Sequence, residues 1–324
     1  MTQVVAWSGD AASRARVRAL LEQRGFALLR PDPARLPSEL AARDPWETAT
    51  LFWGEPPELV ERQPIAPVPW GRSFASTSGD TPLHSDSQLY AGAPPDLQLM
   101  FCERAASRGG ETTLLDTWSL LDAIERAEPE LFRLLFHANR RIPFVFGDVV
   151  GPTVSLRRGA LAFTHSPMPT AGDPIAERLR AHLERAALER VRPESGELLV
   201  VDNRRMLHGR SAFDDPERRF TRLLLWLRAP LPCPAHLREL CEQALALRAP
   251  ELAELPASAR RRLGLALPEG PGALRRRIVL EMLRGVPPGV LARRHGVDER
   301  ELYAWRDRAL AAAEAELGRD DDER

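Results

Sequence analysis

The stretch ELLVVDNRRMLHGRSAF, residues 197–213, decides the fold. Leu198 to Val201 form a short apolar run of the kind that makes a buried strand. Asp202, Asn203 and Arg204 interrupt it with turn chemistry. Apolar character returns at Met206 and Leu207, and His208 follows. The spacing predicts a strand, a turn and a return that carries His208. Alone, His208 would be an ordinary satisfied histidine, so its neighbours decide its meaning.

Downstream lies RRFTRLLLW, residues 218–226. On a strand, Arg218, Phe220, Arg222 and Leu224 share one face. Arginines pointing inward among apolar residues are costly unless they meet an anion. A guanidinium grips a carboxylate through two parallel hydrogen bonds. Arg219 falls on the opposite face, where solvent is expected. Upstream, Gly109-Gly110-Glu111-Thr112 leads the run TLLDT. The glycines allow a tight turn, and Thr112 offers a hydroxyl to a bound carboxylate. Further upstream stands His84-Ser85-Asp86. Residues two apart on an extended segment point the same way, so an imidazole and a carboxylate converge. With a third ligand distant in sequence they make a facial triad that leaves metal positions open. The pair alone is a weak signal.

The same alternation runs from about Trp70 to Arg228, in DLQLMFCE, ETTLLDT, RIPFVF, ALAFTH, ELLVVDN and FTRLLLWLR. Many short strands in one region predict a β-sandwich or barrel. Helical stretches are expected at Trp118–His137 and Asp173–Val191. The first segment predicts a strand at Val4–Trp7, a helix over Ala11–Arg24 capped by Gly25, and a strand FALLR. Residues 31–69 are rich in proline and read as loop with short helices.

The ordered set, HxD, then GGET, then DNRxxxH, then RxxxR, resembles the taurine dioxygenase and clavaminate synthase-like family of Fe(II)- and 2-oxoglutarate-dependent oxygenases. The resemblance covers roughly residues 15–228 and is strongest at 81–116 and 198–226. It implies a mixed α+β fold built on a double-stranded β-helix (jelly-roll) core with helical insertions. It implies Fe(II) on His84, Asp86 and His208, 2-oxoglutarate held by Thr112 and Arg218, and O2 as oxidant. Arg222 falls on the family's second arginine, which helps hold an acidic substrate or the co-substrate. A one-residue slip, from Arg218 to Arg219, remains open. The implied reaction is hydroxylation of an unactivated C–H bond; the carboxylate of Asp86 argues against halogenation. The expected substrate is an amino acid, free or bound to a peptide or carrier, in secondary metabolism. Ser87, Gln88 and Tyr90 are candidate contacts.

After Pro230 the strands stop. Residues 233–318 read as helical, which places a boundary near 232, between an oxygenase domain (1–232) and a helical domain (233–324). Residues 273–318 predict three helices resembling a helix-turn-helix, with Gly285 and Gly296 as breaks and Asp298 as a cap. The third helix opens Asp298-Glu299-Arg300-Glu301. Acidic residues at a base-reading end oppose the phosphate field. A protein-docking or self-association unit is therefore expected rather than a DNA reader. A DNA-binding regulator that senses iron or 2-oxoglutarate is the rival reading.

Composition sets outer limits. The chain has 324 residues, 44% hydrophobic and 28% charged, with a net charge of −1. That supports one sizeable core and a smaller unit, without a field that draws the chain to nucleic acid or membrane. All 45 cationic residues other than histidine are arginine. Three cysteines in no zinc pattern fit a reducing compartment. The first residues lack a secretory h-region, and no apolar run approaches the ~20 residues a membrane helix needs. The expectation is a cytoplasmic protein without a membrane partner.

Overall fold

The computed structural model describes residues 3–32, 44–68, 71, 73–86, 93–144, 147–157, 159–168, 170, 172–253, 273–283, 288–295 and 297–322. The N-terminal segment shows how local chemistry sets an element. Strand β1 (Val4–Trp7) leads to helix α1 (Ala11–Arg24). Asp10 starts the helix by accepting from the Ser13 N–H, and Gly25 ends it at φ 74. A left-handed residue is inexpensive only for glycine, and the cap N–H returns to Leu21 O. Strand β2 (Phe26–Pro31) follows and pairs in parallel with β1.

Helix α2 (Pro45–Trp53) and strand β3 (Leu59–Ile65) come next. The strand was not expected in that proline-rich stretch. Its Pro64 is tolerated because β3 lies at a sheet edge. Then come β4 (Thr81–His84), β5 (Leu97–Arg104) and β6 (Thr112–Asp116). The single helix expected over Trp118–His137 is two, α3 (Thr117–Ala127) and α4 (Pro129–His137), because Pro129 restarts the chain. Short strands β7 (Arg140–Phe144), β8 (Gly147–Gly151), β9 (Val154–Arg157) and β10 (Ala160–Phe163) form two hairpin pairs. Helix α5 (Pro174–Arg185) is capped by Asp173. It stops short of Val191, and β11 (Glu189–Val191) takes the last residues. Strands β12 (Leu198–Asp202), β13 (Met206–Arg210) and β14 (Arg219–Trp226) and helix α6 (Ala235–Ala253) complete this part.

Two sheets dominate, one in the order β1-β2-β12-β5-β14-β3 and one in the order β11-β6-β13-β4. β12 and β13 are not a hairpin. The turn between them carries the chain from the six-stranded sheet to the four-stranded one. One core joins Met100, Cys102, Leu199, Val201 and Phe220 of the larger sheet to Leu114, Val191 and Met206 of the smaller. The two sheets therefore face each other. The outer face of the larger sheet packs Leu99, Val200 and Leu223 against Val17, Leu21, Trp46 and Phe52 of α1 and α2. On the smaller sheet, Leu115 and Leu207 pack against α3, α4, α5 and α6. Strand alternation accomplishes this sorting, since neighbouring residues go to opposite faces.

The chain divides into two compact units, Met1–Ala266 and Leu267–Arg324. This division lies later than the boundary expected near 232, because α6 buries Leu237, Cys241 and Ala244 in the first unit's core. In the second unit, α7 (Ala273–Leu283), α8 (Pro288–His295) and α9 (Glu299–Asp322) enclose Ile278, Met282, Leu291 and Leu302. Asp298 caps α9 by accepting from the Arg300 N–H at 2.7 Å. Gly285 and Gly296 lie outside the described residues. Among the described residues no helix is long and apolar enough to cross a membrane.

Candidate metal centre

His84 ends β4, and His208 sits opposite it in register on β13. The two imidazoles lie 4.4 Å apart, centroid to centroid. Asp86 follows two residues after His84. Its Oδ1 is 3.3 Å from His84 Nε2, and its Oδ2 is 3.5 Å from His208 Nε2. One ligand atom from each of the three residues falls within 4.8 Å of the others. Two imidazole nitrogens and one carboxylate oxygen, shielded from water, suit Fe(II). His84 Nδ1 is 2.9 Å from the carbonyl of Pro82, which can only accept. That ring nitrogen therefore carries the proton, and Nε2 keeps its lone pair. Phe74 packs 4.9 Å from the same ring.

The charge state suits metal binding. Burial opposes ionisation of Asp86, but Arg222 and the two histidines outweigh it and hold the carboxyl well below the usual range. Burial, then His84, lowers the His208 pKa, which favours the neutral ligand form.

The expected co-substrate residues lie on or next to the facing strands β6 and β14. Thr112 is buried at the start of β6, opposite Arg210. Arg218 is 4% exposed, just before β14. Its guanidinium packs against Phe213 and Phe220, at 4.8 and 4.1 Å from their ring centroids. One amino group donates to Gly110 O at 3.4 Å, while Nη1 is buried with no protein partner. Burial lowers its pKa to about 10. Arg219, by contrast, reaches outward to Glu103 with its side chain 60% exposed. Arg222 faces inward, and its guanidinium is held by Asp86 and Gln63. The glycine pair before Thr112 is forced. Gly109 and Gly110 have φ of 69 and 71, and a Cβ on Gly109 would lie 2.0 Å from Ala212 O. Ser87, Gln88 and Tyr90 lie outside the described residues.

The sequence profile of the taurine catabolism dioxygenase TauD, TfdA family matches residues 3–147 and 137–224. The chain belongs to that family. Its members form a family of iron- and 2-oxoglutarate-dependent oxidoreductases. The chain is 31% identical over 168 residues to L-asparagine oxygenase of Streptomyces coelicolor, across 47% of this chain and 48% of that one. It thus spans about half the length of that relative. It is 28% identical over 244 residues to uridine-5'-phosphate dioxygenase of Amycolatopsis sp, across 65% of this chain and 87% of that one. A solved structure of asparagine oxygenase with Fe(II), 2S,3S-3-hydroxyasparagine and succinate has a TM-score of 0.52 and 19% identity, covering 67% of this chain and 80% of that one. That likeness is one of fold.

In this member of the taurine dioxygenase family, the DNRR turn does more than reverse the chain. Asp202 Oδ1 accepts from the N–H groups of Arg204 and Arg205, at 3.0 and 3.2 Å. Arg204 pairs with Asp96 at 2.6 Å, and Arg205 with Asp116 at 2.6 Å. Arg205 also donates to Leu21 O, Glu22 O and Gln23 O at the end of α1. Arg210 donates to the carbonyls of Phe74, Thr77 and Gly79, which anchors the loop before His84. Asn203 and Gln98, both fully buried, reach Asp86. None of these roles was expected from the sequence. The motif DNRR marks the turn, but the hydrogen-bonding partners of the Arg205 side chain lie from 89 to 184 residues away in the chain.

Proposed function

We propose that this chain is an Fe(II)- and 2-oxoglutarate-dependent dioxygenase that hydroxylates an unactivated C–H bond of an amino-acid-like substrate. The convergence of His84, Asp86 and His208 carries the reading, with family membership behind it. The two facing sheets are read as halves of a double-stranded β-helix. His84, Asp86 and His208 would hold the iron, and the unpartnered Nη1 of Arg218 would take the distal carboxylate of 2-oxoglutarate with Thr112 beside it. Iron with 2-oxoglutarate and O2 supplies the oxidising power, with succinate and carbon dioxide as co-products.

The chain's own residues position and exclude. The Pro82 carbonyl fixes the His84 tautomer, so the metal-facing nitrogen is presented without a proton. Phe213 and Phe220 hold the Arg218 guanidinium in a dry setting, where a paired carboxylate is worth more than in water. Arg222 keeps Asp86 ionised. The amino-acid class follows from the L-asparagine oxygenase relative; the Amycolatopsis relative's name points instead to a nucleotide. Succinate release with free amino acids and with nucleoside 5'-monophosphates distinguishes the two. The helices of residues 273–322 are read as a docking or self-association unit, since Glu299 and Glu301 make the first turn of α9 acidic.

The direct test is anaerobic addition of Fe(II) and 2-oxoglutarate to metal-free protein. A visible charge-transfer band that His208→Ala loses supports the reading. A folded protein without the band overturns it.

A further inference from the structure

The first six residues of β5 read Leu97-Gln98-Leu99-Met100-Phe101-Cys102, one primary amide among five apolar side chains. Gln98 has no exposed surface. It lies on the inner face with Met100 and Cys102, toward the metal centre. Its orientation follows from its partners. Asn203 Nδ2 donates to the carbonyls of Asp86 and Pro95, at 3.3 and 3.2 Å. Asn203 Oδ1 is therefore the atom that accepts from the Asp86 N–H at 3.2 Å and from Gln98 at 2.7 Å. An oxygen of Gln98 at that position would face another oxygen, so its NH2 group must sit there. The second hydrogen of that group reaches Asp86 Oδ2 at 3.2 Å. Arg222 holds the same oxygen. Asp86 Oδ1 is 3.3 Å from His84 Nε2, while Oδ2, which Gln98 and Arg222 hold, is 3.5 Å from His208 Nε2, as is the Gln98 nitrogen itself.

We infer that Gln98, locked by Asn203, is a positioning residue that ties down Asp86 Oδ2, so that the carboxylate offers Oδ1 alone to a metal. The inference rests on reading His84, Asp86 and His208 as metal ligands. It explains why a buried amide stands in an apolar strand although its own Oε1 is buried without a partner. An apolar residue there would fold without that penalty. A side chain kept only for stability would not carry it.

The test is Co(II) titration of metal-free full-length protein, followed by ligand-field absorption, for wild type, Gln98→Met and Gln98→Leu. The expected result is a roughly ten- to hundred-fold loss of Co(II) affinity with altered band shape. The melting temperature of the metal-free variants should stay level or rise. Wild-type affinity and spectrum in Gln98→Met would overturn the inference. Should both apolar variants misfold, Gln98→Asn decides. Its amide is one methylene shorter and cannot reach both Asn203 Oδ1 and Asp86 Oδ2, so Co(II) affinity should fall as in the apolar variants; wild-type affinity overturns the inference. If His208→Ala takes up Co(II) as wild type does, the ligand assignment itself fails. Loss in His208→Ala alongside unchanged Gln98→Met defeats only the positioning role.

Discussion

Arg218 and Arg219 are neighbours in sequence and opposites in surroundings. One is buried between two phenylalanines, and the other pairs with Glu103 at the surface. Removing a charge-assisted grip costs about 1.5–3 kcal/mol, so Arg218→Ala should raise the 2-oxoglutarate requirement roughly ten- to hundred-fold. Arg219→Ala should change it by less than about two-fold, as exposed pairs contribute little. Steady-state titration of 2-oxoglutarate checks this, and the reverse order would mean that Arg219 is the gripping residue. His84→Ala and Asp86→Ala should each abolish turnover without loss of the far-UV circular dichroism spectrum. Turnover surviving in either would refute the ligand assignment. Asp202 gives a pH signature. Burial raises its pKa to about 7 against the hydrogen bonds from Arg204 and Arg205. Between its ordinary value of 3.8 and about 7 the folded chain keeps a proton that the unfolded chain has released. Stability from this group is therefore full below pH 4 and is lost as pH rises towards 7, by at most about 4 kcal/mol. His165, lowered to about 4 chiefly by burial, contributes the opposite slope over pH 4–6.5. Asp202→Asn keeps an acceptor for both N–H groups and removes only the falling slope, so over pH 4–6.5, where the two slopes oppose in wild type, that variant's melting temperature should rise with pH more steeply than wild type's. A variant with the wild-type pH profile would rule out Asp202 as a contributor.

Elements were legible where sequence carries its own punctuation. Asp10 and Gly25 bracket α1, and both limits could be read directly. β3 was missed because Pro64 and three polar residues before it erase the strand pattern; what stabilises it is pairing along β14, from Leu59–Trp226 to Ile65–Phe220. The three residues proposed as metal ligands were visible as a pair and a distant histidine, but Gln98 and Asn203 were not. A single amide in an apolar run has no period, and its meaning arises only when β5 meets the DNRR turn. The turn before β6 shows the opposite case, where GG announced a special conformation. Gly110→Ala places a Cβ 2.9 Å from Arg218 Nε at φ 71. It should cost about 1–2 kcal/mol of stability and weaken 2-oxoglutarate binding in parallel, because strain and the displaced guanidinium arise together. Thermal melts and co-substrate titration read both; a stable variant with normal binding would show that the turn is slack.

At the scale of the molecule, α6 decides where the chain can be cut. A chain ending at residue 266 keeps the four packed layers and should retain its melting transition and Co(II) binding. A chain ending at residue 232 loses Leu237, Cys241 and Ala244 from the core behind the smaller sheet. That should cost roughly 3–5 kcal/mol. Equal melting temperatures for the two truncations would place α6 outside the core. The larger sheet also has an end that matters outside its own fold. β3 is its last strand, and it carries Glu61, Arg62, Gln63 and Pro64 in succession. Proline offers no N–H at this edge, and Glu61 and Arg62 would lose water on pairing with a second copy. A fibril grows by recruiting strand after strand onto such a border. Here the border is chemically blunt, so crowding this protein should concentrate it without seeding polymers from that side.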